Sequence, residues 1–110
     1  MNTKFSYLYR DAGNYKFFKD VVLDGVLSLD QLNPSLWESE YFIPSEVGLP
    51  DLQPEPLTVD DHIWHEIDAI EYTDDEPTTD ISATSLVERF KISKKNSWNQ
   101  IKVYKRKGML

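Results

Sequence analysis

In "KFSYLYRDAGNYKFFKDVVL" (residues 4–23), Phe5, Tyr7 and Tyr9 alternate with Lys4, Ser6 and Leu8. Aromatic residues at every second position suit a pleated, half-buried surface, so residues 4–11 read as a strand. Gly13 and Asn14 then supply the turn chemistry, because both tolerate positive φ. Residues 15–23 read as the return strand, with Tyr15, Phe17, Lys19 and Val21 on one face and Lys16, Phe18, Asp20 and Val22 on the other. The result is a β-hairpin with apolar cover on parts of both faces. Tyr7, Tyr9 and Phe17 are its expected core residues, and full enclosure of Phe17 would make Phe17→Ala cost roughly 3–5 kcal/mol.

Outward from the hairpin, Asp24-Gly25 signals a turn. Ser28 with Gln31 three residues on resembles a capping box, and Leu29, Leu32 and Leu36 follow a helical stripe. Pro34 limits this helix to residues 28–33, since its ring clashes with the preceding turn. Residues 41–43 can pair as a short strand. Pro44, Gly48, Pro50, Pro54 and Pro56 then enforce a wrapping segment, pegged by Leu49, Leu52 and Leu57. Residues 82–95 read as the main helix, capped by Ser82 or Asp80, with Leu86, Val87 and Phe90 on its buried face and Lys91, Lys94 and Lys95 near its C-terminal end. Residues 97–110 fit a second helix, carrying Trp98, Ile101 and Tyr104, or a strand.

The segment "DDHIWHE" (residues 60–66) is the densest chemistry in the chain. Residues 62–72 fit a strand, which puts Ile63, His65, Ile67 and Ala69 on one face. They also fit a helix with Ile63, Ile67 and Ile70 in a stripe. The β-forming side chains and the closing Thr/Asp/Pro cluster favour the strand. The expected fold is α+β: one domain over residues 1–110, with a small antiparallel sheet, an N-terminal hairpin and a C-terminal helix packed on one face.

His62 and His65 are the only histidines. Their H-x-x-H-E order differs from the H-E-x-x-H metal motif, and on a strand they point apart. Asp60, Asp61, His62, Trp64, His65 and Glu66 are therefore candidate binding residues, with no catalytic residue, metal or cofactor expected. The class alternative is a metal-dependent or acid–base enzyme centred on His62, His65 and Glu66. Four isolated glycines build no phosphate-binding loop, and the chain has no cysteine. A cysteine-free small domain fits a reducing compartment. The opening residues turn polar by Arg10 and Asp11, short of the roughly 7–15-residue apolar run of a signal peptide, and the expected location is the cytoplasm, away from membranes.

Charge is unevenly spread. Residues 1–90 hold 19 acids and 5 bases, a net of −14; residues 91–110 hold 7 bases and no acid, a net of +7. Residues 51–80 carry 11 acids and no Lys or Arg. An acidic body with a basic extension suggests a non-catalytic protein that binds a protein partner through its acidic surface, as an inhibitor, immunity-type protein or accessory factor. Trp98 and Tyr104 among the extension's cations suit phosphate contact and stacking, but the acidic body repels nucleic acid, which is not the expected partner. The extension from Lys91 onward is expected to lie against the acidic body or to share in the same protein interface.

"KFSYLYRDAGNYK" and "DDHIWHEI…EYTDDEPT" together resemble a family of small uncharacterised bacterial proteins over about residues 4–80. The resemblance implies a bacterial, cytoplasmic origin and a compact α+β domain. It implies no activity.

Overall fold

The computed structural model describes residues 1–109. Strand β1 (Asn2–Arg10) pairs antiparallel with β2 (Lys16–Leu23), and β1 also pairs antiparallel with β4 (His65–Thr73), whose outer neighbour is the two-residue β3 (Tyr41–Phe42). The sheet order is β2-β1-β4-β3, so the N-terminal strand is central. This is the α+β arrangement expected, with an N-terminal hairpin and C-terminal helices. The hairpin turn closes through Asn14, at φ 66°, while the Asp11 carboxylate accepts from the Tyr15 N–H at 2.9 Å.

Helix α1 (Leu29–Leu32) starts at Ser28, whose N–H donates to Gln31 Oε1 at 2.9 Å as in a capping box, and a 3₁₀ turn holding Pro34 follows it directly. Proline is tolerated there because an N-terminal position leaves its missing N–H unneeded. Helix α2 (Ala83–Lys95) starts at Ser82, whose hydroxyl accepts from the Ser85 N–H at 3.1 Å. Helix α3 (Gln100–Arg106) follows after a left-handed turn at Ser97, Trp98 and Asn99. No helix of the described residues is long and apolar enough to cross a membrane.

The core lies between one sheet face and the helices with the wrapping segment. Phe5 and Tyr7 pack edge-on to Phe42 within the sheet, and Phe42 meets Phe90 of α2 with ring centroids 5.2 Å apart. Leu49 is buried and Leu52 and Leu57 are half-buried, as pegs should be. Gly48 ends a 3₁₀ turn at φ 86°, and a side chain there would strike the Arg89 guanidinium and Ile81. The position therefore requires glycine on both conformational and steric grounds.

Three strand expectations need correction. The fourth strand begins at His65, so most of residues 60–66 form an ordered loop rather than a strand. The alternation of Ile63, His65, Ile67 and Ala69 also breaks: Tyr7 faces Ile67 and Ser6 faces Ala69, which leaves Asp68 as a bulge residue. After the bulge Ile70 rather than Ala69 joins the inner row, opposite Phe5. The same bulge explains why helical periodicity fitted, since it places apolar residues three apart on one strand face.

Phe17 is the other correction. It is 41% exposed, because β2 runs beyond the helical layer and only its last three residues are buried. Its ring stacks loosely on Tyr9, at 6.5 Å. Phe17→Ala is expected to cost about 1 kcal/mol in urea unfolding, since only part of the side chain leaves water. A loss of 3 kcal/mol or more would show a packed environment instead.

Candidate functional site

Tyr9 organises the region around residues 58–66. Its hydroxyl donates to Asp61 Oδ1 at 2.6 Å and accepts from the His62 N–H at 3.1 Å. Burial, followed by this bond to a carboxylate, pushes the phenol pKa up. Burial also acts to raise the Asp61 pKa, but the bonds from the Tyr9 hydroxyl and from the Thr58 N–H and hydroxyl outweigh it and hold the carboxyl low. Asp61 is thus an ionised acceptor that ties the loop to β1.

The two imidazoles flank the Tyr9 ring, with centroids 5.0 Å (His62) and 5.2 Å (His65) from it. The His62 Nε2 lies 2.7 Å from the Arg10 carbonyl, a contact in which it must donate. Its Nδ1 then accepts from the Trp64 N–H at 3.0 Å. His65 is fully buried; its Nε2 accepts from the Leu52 N–H at 2.9 Å and its Nδ1 faces the Ile63 carbonyl at 3.4 Å. Burial pushes the His65 pKa down to about 4. All four ring nitrogens therefore have intramolecular partners.

Glu66 points to the other sheet face. Its carboxylate takes a two-pronged contact from Arg10, at 3.0 Å to Nε and 3.4 Å to Nη2. Trp64 stacks on Trp37 with centroids 5.5 Å apart and planes within 8°, and Tyr41 lies 6.4 Å away. Asp60 is exposed, and its backbone carbonyl accepts from the Ala12 N–H at 3.1 Å. A shallow pocket of about 330 Å³ lies here, lined by Arg10, Asp11, Tyr41, His62, Trp64 and Glu66.

Asp61, His62 and His65 thus gather at Tyr9, Trp64 stacks on Trp37, and Glu66 points to the sheet's outer face. His62, His65 and Glu66 do not share a common target atom. Among the described residues no group of three His, Asp or Glu side chains is arranged to hold a metal ion. Sequence reasoning missed Tyr9, Arg10, Trp37 and Tyr41 as members of this region. The available signal was the strand pattern itself, because Tyr9 and Arg10 occupy opposite faces of one strand.

The basic extension docks elsewhere on the acidic body. Lys107 Nζ lies 2.8 Å from Asp51 Oδ2, with both side chains mostly shielded, and Arg106 reaches Glu46 and Ser45. A larger concavity of about 640 Å³, lined by Asn96, Gln100, Ile101 and Lys105 among others, flanks the α2–α3 turn and contains no carboxylate or imidazole. The chain matches no protein-family model, no curated protein and no solved structure.

Proposed function

We propose that the chain is a non-catalytic interaction protein that binds a basic protein partner through an acidic surface, as an inhibitor, immunity-type protein or accessory factor. One contrast carries this reading. The side chains able to do acid–base chemistry, His62, His65, Asp61 and Glu66, are committed to internal bonds. The acids between residues 68 and 76, Asp68, Glu71, Asp74, Asp75 and Glu76, are exposed, and among the described residues no cation pairs with them. Unpaired charge of one sign steers and selects an oppositely charged partner more than it stabilises a fold. Tyr72, exposed within the same run, adds an aromatic contact of the kind enriched in interfaces. A cytoplasmic location, supported by the cysteine-free composition, belongs to the same proposal.

Affinity capture from lysate of the source cell, read by mass spectrometry, tests it. The triple reversal D74K/D75K/E76K should abolish capture of a basic protein that the unaltered chain retains. About 1 M salt should release that protein, because the Debye length falls to roughly 3 Å. Circular dichroism should show both chains equally folded. Capture indifferent to the reversal and to salt would refute the reading.

A further inference from the structure

We infer that the outer edge of β2 pairs with the same edge of a second copy of the chain, as an antiparallel strand pair centred on Phe18. The argument starts from hydrogen-bond phase. At the covered end of β2 the Val22 N–H donates to Thr78 Oγ1 at 2.8 Å, and the Val22 carbonyl accepts from the Thr78 N–H at 2.9 Å. Val22 therefore directs its backbone groups away from β1. Strand geometry repeats every two residues, so Asp20, Phe18 and Lys16 direct theirs the same way. Among the described residues nothing pairs with these three N–H and three C=O groups.

All five residues from 16 to 20 are exposed, Phe18 at 61%. An open edge with exposed aromatics is a template for strand addition. Lysines on an edge ordinarily oppose such pairing, so the occupant must answer Lys16 and Lys19. A second copy centred on Phe18 does so. Lys16 of one copy then lies opposite Asp20 of the other on the outer face, Phe18 opposite Phe18, and Lys19 opposite Phe17 on the inner face. Opposite-charge pairs directly across antiparallel strands are favourable, and a cation beside an aromatic ring is too. All three outward stations on each strand are used, giving six main-chain bonds.

Other centres fare worse. Centring on Lys16, Lys19 or Asp20 sets like charges directly opposite, and centring on Phe17 uses only two stations. The Thr78 segment blocks extension past Asp20, which limits the pairing to these three stations. Charge complementarity and free-edge phase thus select one register and one partner, independently of the acidic surface. The local charge of residues 16–20 is +1, so the chain's net −7 does not concentrate at this edge.

The test is light-scattering mass across a micromolar-to-millimolar series, with amide hydrogen exchange on the same samples. The intact chain should double in mass as concentration rises, and the amides of Lys16, Phe18 and Asp20 should become protected while those of Phe17 and Lys19 do not change. Asp20→Lys should leave a folded monomer, since among the described residues Asp20 makes only one ion pair, an exposed 3.9 Å contact with Lys4. The charge-swapped K16D/D20K chain should regain the doubled mass. A chain that stays monomeric throughout, a dimer that survives D20K, or a failed rescue overturns the inference. Protection of the three amides by a different protein, without dependence on this chain's own concentration, assigns the edge to that partner and overturns it as well.

Discussion

Trp98→Ala lowers the free energy of unfolding by about 3–5 kcal/mol, the usual cost of deleting an enclosed large aromatic. Trp98 is fully buried, meets Phe90 edge-to-face at 5.4 Å, and donates its indole N–H to the Ser35 carbonyl at 3.0 Å. Alanine leaves a cavity and an orphaned buried carbonyl, which adds to the loss. Ser97, Trp98 and Asn99 all sit at positive φ, between 51° and 59°, a conformation that costs non-glycine residues roughly 1–2 kcal/mol each. The buried indole is what offsets that strain and holds α3 back against the body. The expected loss is a large part of a typical total near 5–15 kcal/mol, so urea unfolding should show a strongly lowered midpoint. Amide exchange should rise first in α3. A change below about 1 kcal/mol would mean that the turn is held by α3's other contacts rather than by Trp98.

The same residue shows how far the chain could be read without coordinates. Period-two aromatics announced the hairpin, the Ser28/Gln31 spacing announced α1, and of the two candidate caps of α2, Ser82 and Asp80, the structure uses Ser82; each signal acts between near neighbours. Trp98 stood out only as an aromatic among cations. Its role depends on a three-residue left-handed turn and on Ser35, which is 63 positions away. Nothing local specifies either. Phe17 failed for a related reason: alternation gives a residue's face but not how far the covering layer extends along the strand. Ala69 failed because a bulge is defined against the partner strand, and the one extra residue, Asp68, exchanges Ala69 for Ile70 on the inner row.

The candidate site divides in the same way. The cluster in residues 60–66 was visible by composition, but the expectation that His62 and His65 point apart assumed a strand through both, whereas His62 lies in the loop and both rings flank Tyr9. The hub, Tyr9, lies 52 residues from Asp61 and could not be paired with it from sequence. Once the pairing is known, the chemistry changes meaning: carboxylate and imidazoles become fasteners between the central strand and the wrapping segment. The docked extension shows the same logic, since the arithmetic of −14 against +7 suggested attraction but did not single out Lys107 and Asp51.

Acidification from pH 7 to pH 4 should remove about 3 kcal/mol of stability through His65 alone. Burial holds its folded-state pKa near 4, below the ordinary histidine value of 6.5; Asp51 pulls upward, and His62 and Lys107 push further down. The unfolded chain therefore binds the proton first. This contribution is complete above about pH 6.5, falls as pH drops through the window, and is lost near pH 4. Protonation also has a structural consequence. Nε2 can no longer accept from the Leu52 N–H, so the wrapping segment loses its tie to β4 at the point where it enters the core. Acidification simultaneously reduces repulsion within the acidic body, so the informative quantity is a difference between two chains. His65→Gln keeps an acceptor for Leu52 but has no proton to bind in this range. Its urea-derived stability should start below that of the native chain at pH 7 and decline less on the way to pH 4, by about 3 kcal/mol. Parallel pH profiles for the two chains would show that His65 is solvated or protonated in the folded state, and the buried neutral fastener would have to be abandoned.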